Sequence, residues 1–420
     1  MLTRAPMGTR WFGSAVGLFL AITSSAGASP LSFRAALSLA HERAPKVLGA
    51  GRAAHGLTAA VDSADPLVAL PAQLQVTMGA RTFAGARAPG FETQAQFQQY
   101  VPLRPVGAAR RDVMGAARLT ALARSQEELA AVDERAARAW LAVFFAEKSL
   151  ALHTRAVAEA KSLTELARAR VASGLATPNE TALALADEAM AETEQLDAEG
   201  QLTEAKLLLG SLVDIGPSDI ELDDRDAPAD VACPTFESAL RAMNDRHPSL
   251  RRAREQGALA VGEASYVYAQ HGSSLGVGFT AAHEGSGESL AAALVTVPLA
   301  WSSPGQADVL RARAEADELS AIHTYEHDEL VRDLRVALHE HEHTRATHAA
   351  SLRAVSALED AYRIARAWVE RGAADLSVAA LARQRLILGE DRAIHARAAV
   401  YLANVRLLAA QGLLHDGVTR

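Results

Sequence analysis

Two stretches of this chain, Val106 to Val171 and Gly305 to Arg371, contain no proline, and each is about 65 residues long. At ~1.5 Å of rise per residue, an unbroken helix of that length extends about 100 Å. In the first stretch Leu122, Leu129, Ala136, Val143, Leu150 and Val157 recur every seven residues, with Val132, Ala139 and Ala146 at the intervening position, which is the pattern of a coiled-coil seam. The second keeps a weaker seam through Leu334, His341, His348, Val355, Tyr362 and Val369. Alanine is abundant and aromatic residues make up only 5% of the chain, a composition that favours long helices whose backbones approach closely. Shorter helices are expected at about 33–62, 178–211, 236–269 and 376–412. Laid end to end, each short pair is about as long as its long partner, so the four can line a wall of constant thickness.

The chain repeats itself. Phe33-Arg34-Ala35-Ala36-Leu37 opens a helix that meets Pro45, and Phe236-Glu237-Ser238-Ala239-Leu240 opens one that meets Pro248, the proline falling twelve residues after the phenylalanine in both. The order that follows also recurs: hairpin, long helix, glycine-containing turn, helix. The expected divisions are a first repeat at 29–225, a linker at 226–235 and a second repeat at 236–420. The hairpins are expected at about 73–104 and 274–299, and the long helices at about 106–172 and 305–371.

Both hairpins alternate apolar and polar residues, as a strand with one greasy and one wet face requires. In Gln73 to Arg81 every second residue is apolar; Ala95, Phe97, Val101 and Leu103 alternate with Gln94, Gln96, Gln98 and Tyr100, with Gln99 as the one break. Leu275, Val277, Phe279 and Ala281 interleave with Ser274, Gly276, Gly278 and Thr280, and the return strand lies within Leu290 to Leu299. The connecting loops are placed at Ala84 to Thr93 and His283 to Ser289. Strands of about 9–11 residues are long enough to cross a bilayer at a tilt. Inside a bilayer an open sheet edge costs several kcal/mol per unpaired group, so only a closed barrel is viable. About eight strands is the practical minimum, and four per chain fall short of it. Several copies must share one barrel, and a cyclic trimer would make it twelve-stranded. The alternative is a soluble antiparallel sheet with its apolar face packed on the helices.

Arg4 and Arg10, the apolar run Trp11 to Ile22 and the small residues Ala26-Gly27-Ala28 read as a signal peptide over 1–28. No other segment approaches the ~20 apolar residues of a spanning helix. The single cysteine, Cys233, permits no internal disulfide and lies too far from the cleavage site to carry an N-terminal lipid. A net charge of -8 without a basic block argues against nucleic acid as a partner. The chain has no phosphate-binding glycine loop, so any transport it serves is driven elsewhere.

The tandem order, the prolines after the opening helices, Val101-Pro102-Leu103 and Val297-Pro298-Leu299 at the hairpin exits, and the turn Arg170 to Thr177 together resemble the outer-membrane efflux protein family, the TolC-like channels. The run Gln99-Tyr100-Val101-Pro102-Leu103 leading to Arg110-Arg111 looks somewhat like its heavy-metal branch. The resemblance spans the mature chain. It implies a mostly α protein with a small transmembrane β part: a homotrimer with a twelve-helix α-barrel in the periplasm and a shared twelve-stranded β-barrel in outer-membrane lipid. It also implies a periplasmic adaptor and an inner-membrane transporter as partners, no cofactor, and a passive duct rather than an enzyme. The adaptor-docking tips would be Gly174, Leu175 and Thr177 in one helix turn, Gly372 and Asp375 in the other. Asp375, Glu370 and Arg371 are the candidates for an entrance gate, where like carboxylates would repel and attract cations. Glycine suits the left-handed cap, and Thr177 and Asp375 suit the N-cap that follows. A duct for protein secretion is the alternative function.

His339-Glu340-His341-Glu342-His343 formally satisfies H-E-x-x-H, the zinc-protease pattern. No third ligand is evident, and Ala346 and Ala349 stand where the extended motif needs glycine and histidine. These residues read first as a solvated Glu- and His-rich helix face; the lesser reading is transient metal binding by His339 with His343 and by His323 with His327. A periplasmic coiled-coil scaffold is the remaining alternative of a different class.

Overall fold

The structure, a computed structural model, describes residues 30–62, 72–81, 90–223, 232–272, 274–284, 287–297 and 305–414. The signal segment, most of the linker, Ala84 to Pro89 of the first loop and Pro298-Leu299 lie outside the described residues. The elements run α1 Phe33–Arg43, α2 Pro45–Asp62, β1 Gln73–Arg81, β2 Gly90–Pro102, α3 Val106–Ala172 and α4 Pro178–Val213. The same order then recurs as α5 Phe236–Arg246, α6 Pro248–Gln270, β3 Ser274–His283, β4 Ser289–Thr296, α7 Gln306–Glu370 and α8 Leu376–Ala410. The first helices of each half break at Ala44-Pro45 and His247-Pro248, because proline at the following position denies its predecessor helical geometry. Ser32 and Thr235 cap α1 and α5 by accepting the backbone N–H three residues on, at 3.1 and 3.3 Å.

The long helices α3 and α7 run the length of the helical part. Towards the sheet, α2 packs on α3, α3 on α6 and α6 on α7; towards the far end, α4 packs on α3, α3 on α8 and α8 on α7. Each level is therefore a row of four helices. Its two outer members, α2 or α4 on one side and α7 on the other, make no extensive contact with each other among the described residues.

Periodic seams hold the rows together. In α3, Val132, Ala136, Val143 and Val157 are buried, whereas Leu122 near the sheet end is exposed. In α7, Leu334, His341, Tyr362 and Val369 are buried and His348 and Val355 half-buried. Ala184, Ala191, Ala198 and Ala205 of α4 are all buried at seven-residue spacing against α3. Alanine in that position lets two helices approach closely. In α8, Ala379, Leu386, Ala393, Val400 and Leu407 repeat the device against α7.

The densest packing lies midway along α3. Trp140 is fully buried, edge-on to Phe33 at 5.3 Å and stacked on Phe144 at 5.3 Å. Its indole N–H donates to the Leu31 carbonyl at 3.1 Å. Leu31 also bridges to Leu222 in parallel, so the start of the described chain is stitched to the segment that follows α4.

The four strands form one antiparallel sheet in the order β1-β2-β3-β4. Thirteen residues long, β2 starts at Gly90 rather than near Gln94. The alternation continues backwards through Phe91 and Thr93, which pair with Ala80 and Met78, and this absorbs part of the expected loop. Arg104, just past β2, joins the sheet to the helices: its guanidinium donates to the Tyr268 carbonyl at 2.5 Å and lies 3.8 Å over the Tyr268 ring.

Candidate functional site

Two regions carry chemistry that packing does not explain: the faces of the sheet and the turns at the opposite end. The register aligns Leu74, Phe97, Phe279 and Ala293 across all four strands, and beside them Val76, Ala95, Ala281 and Ala291. This face is apolar and open: Leu74 is 70% exposed, Met78 67%, Phe279 51% and Phe97 46%. No helix covers it among the described residues, so the alternative of a soluble sheet packed on the helices does not describe this fold.

The opposite face is polar and largely neutral on β1 and β2, while β4 contributes Leu290, Ala292 and Leu294 to it. Gln98 is buried and donates to the Thr296 hydroxyl at 2.9 Å; Gln94 donates to the Thr280 hydroxyl at 3.4 Å. A side chain at Gly276 would strike the Gln98 amide at 2.7 Å and the Tyr100 ring at 3.1 Å, so glycine there makes room for both. Arg81 and Glu92, 3.5 Å apart at the loop end, are the charged pair on this face. Gln99, on the apolar face, turns its amide to the Tyr100 carbonyl at 3.2 Å. The outer edges of β1 and β4 have no partner strand among the described residues.

At the far end, the turns after α3 and α7 are built alike. Gly174 and Gly372 both have φ of 72°, the left-handed conformation that glycine adopts without strain. The N–H of Gly174 bonds to the Val171 carbonyl at 3.0 Å and that of Leu175 to Arg170 at 2.9 Å; Gly372 to Val369 and Ala373 to Trp368 repeat the pair at 3.0 and 2.9 Å. Both are Schellman caps. Leu175 is 68% exposed at the apex. Thr177 and Asp375 occupy the N-cap positions with extended backbones, but neither side chain makes the capping hydrogen bond expected from the sequence. The next helices start instead on backbone bonds, from the Glu180 N–H to the Thr177 carbonyl at 3.0 Å and from Val378 to Asp375 at 3.1 Å.

The two turns are brought together by a residue the sequence did not single out. Arg170 is buried and donates to the Val369 carbonyl at 2.8 Å, placing a cation on the last turn of α7, where the helix dipole is negative. Leu163 and Ala167 of α3, Ala184 of α4, Val369 of α7, and Leu376 and Ala379 of α8 make one apolar cluster beside it. Of the gate candidates, the Asp375 and Arg371 side chains have no partner among the described residues, while Glu370 is held by Arg366 at 3.0 Å.

Further from the turns, Arg383 of α8 is buried and donates to the Ala156 carbonyl of α3 at 2.9 Å and to Asp187 of α4 at 2.5 Å. Beside it, burial pushes the Glu159 carboxyl above its ordinary range against the pull of Arg155 and Arg383. Burial and the charge of Glu159 likewise raise the Tyr362 phenol. A lone buried arginine inside a helix pattern resembles a surface residue in sequence, which is why neither Arg170 nor Arg383 was legible there.

The H-E-x-x-H segment lies within α7. Glu340, which would be the base, is held by Arg406 through both oxygens at 2.6 Å. Among the described residues no three His, Cys, Asp or Glu side chains converge to hold a metal.

The sequence matches no protein-family profile and no curated protein. Solved structures do match. The outer-membrane channel OprN aligns with a TM-score of 0.75 at 14% identity, over 90% of this chain and 89% of that one. CusC, described for conformational changes that accompany folding and transmembrane channel formation, aligns at 0.73 with 14% identity, over 93% of this chain and 95% of that one. The outer-membrane protein VceC from Vibrio cholerae aligns at 0.71 with 17% identity, over 90% and 96%. At these identities the likeness speaks to the fold, and it extends over nearly the whole of each partner. The chain thus has the fold of the TolC-like outer-membrane efflux channels.

Proposed function

We propose that three copies of this chain form a passive outer-membrane duct for a tripartite efflux system. One observation carries the reading. The sheet ends at β1 and β4, and the helix rows end at α2 or α4 and at α7, so the chain is open at both flanks from one end to the other. The two flanks differ, and a contact between unlike surfaces closes into a ring of copies. Large apolar side chains stand exposed on these outer helices: Leu183 and Leu196 on α4; Ile322, Ile364 and Trp368 on α7. Exposed apolar surface of this extent marks an interface.

Two copies would supply eight strands, whose interior side chains fill. Three supply twelve, leaving a lumen lined by the glutamine face and an apolar face turned to outer-membrane lipid. The helices below form a twelve-membered tunnel through the periplasm. An inner-membrane transporter drives the flow, and a periplasmic adaptor docks on the tips at Gly174, Leu175, Thr177, Gly372 and Asp375. Three copies of Asp375 at the mouth, with Arg371 and Glu370 nearby, set the charge of the entrance. The cargo is small molecules or metal ions.

Leu175 gives the docking reading its test. A charge at an interface anchor costs roughly 2 kcal/mol or more, about thirtyfold in affinity. Leu175→Asp, combined with Ala373→Asp in the second turn, is expected to leave the amount of trimer unchanged. It should lower resistance of the producing cells to a panel of dyes, detergents and transition-metal salts to that of a deletion strain. Unchanged resistance across the panel, with the deletion strain sensitive, would remove the tips from the account.

A further inference from the structure

We propose that His339 and His343 of α7 form a bidentate site for a divalent transition-metal ion on the surface of the helix. Residues four apart share a helical face. Here the two imidazole rings lie 6.1 Å apart, centroid to centroid, and within 16° of parallel. Both residues are exposed, and neither makes a hydrogen bond or an ion pair among the described residues. Their rings are therefore free to rotate and bring one nitrogen each to ~2.0–2.1 Å of a shared ion, with water completing the coordination. Imidazole nitrogen suits Cu(II), Ni(II) and Zn(II). Exposed Glu342, three residues after His339, adds negative charge near this face.

The surroundings separate this pair from the other histidines of the same helix. His341 is fully buried in the seam against α8. His327 is already engaged, 3.1 Å from the Asn244 amide oxygen and 3.4 Å from Asp328, so the His323/His327 pair lacks a free partner. Glu340 is tied to Arg406 and does not compete for the ion or assist hydrolysis at it. What remains is a two-nitrogen chelate with open positions, suited to a reversible hold.

The site lies within one helix, so its test is independent of the duct reading. The full chain, purified in detergent, is titrated with Cu(II), Ni(II) and Zn(II) salts in turn, and its oligomeric state is read separately on the same sample. Expected are one equivalent per chain that binds ahead of any other, with affinity in the order Cu(II) above Zn(II). His339→Ala and His343→Ala should each weaken that equivalent at least tenfold, because a single imidazole loses the chelate. His323→Ala should leave it unchanged. Equal first-equivalent affinity in wild type, His339→Ala and His343→Ala would overturn the site, whatever the oligomeric state.

Discussion

Replacing Phe279 by arginine is expected to remove the protein from the outer membrane almost entirely, whereas arginine at Gln96 is expected to leave insertion intact. Phe279 stands in the apolar row with Leu74, Phe97 and Ala293, half exposed with no helix over it among the described residues. An arginine at the bilayer midplane on the lipid side of a barrel costs about 2–4 kcal/mol. In the proposed trimer, with one such residue from each copy, the cost would reach about 6–12 kcal/mol. That rivals the whole stability of a folded domain. Gln96 sits one strand away and one residue out of phase, between Gln75 and Thr280 on the polar face. In the proposed barrel a charge there would meet water in the lumen. Immunoblots of outer-membrane fractions from the two variants decide the matter. Equal insertion of both, or equal loss, contradicts the assignment of the two faces.

The second large effect lies in the helical part, far from the sheet. Trp140→Ala removes a fully buried indole that packs on Phe33 and Phe144 and holds the Leu31 carbonyl. Truncating an aromatic side chain in such a site costs about 3–5 kcal/mol. Leaving the Leu31 carbonyl unpaired adds about 1–3 kcal/mol if water does not reach it. Because α1, α3 and the segment around Ile220 share this cluster, the loss falls on the middle of the helical part. The expected result is sharply increased cleavage by a periplasmic or added protease and a marked fall in yield. Protease resistance equal to wild type would show that the tryptophan cluster does not anchor that region.

Much of the architecture was legible because its signals are periodic and uninterrupted. Freedom from proline over Val106 to Val171 and the sevenfold spacing from Leu122 to Val157 announce α3, and strict alternation through Gln73 to Arg81 announces β1. The turns could be placed because a helix that must reverse uses glycine for the left-handed step, as Gly174 and Gly372 do. Other features left weak signals. The alanine ladder Ala184, Ala191, Ala198 and Ala205 gives little apolar contrast with its neighbours, although it is what lets α4 lie close on α3. The early start of β2 was hidden by Gly90, which reads as loop, although Phe91 and Thr93 keep the strand period. Capping by Thr177 and Asp375 was expected from residue type, yet the backbone alone starts both helices. Arg170 and Arg383 owe their roles to carbonyls on other helices, about 200 and 230 residues distant in sequence, at contacts that only the assembled fold creates. The same holds for the histidines: spacing alone left two i,i+4 pairs open, and the neighbours of His327 distinguish them.

The central claim is that this chain is complete only as a ring. The measurement that tests it most directly is the mass, by native mass spectrometry, of the complex extracted in detergent from outer membranes of cells expressing the full chain. The account predicts a single species of three chains that stays assembled in detergent. A monomer released to the periplasm without detergent would contradict it: the exposed row at Leu74, Phe97 and Phe279 would then face water, and the unpaired edges of β1 and β4 would belong to some other assembly.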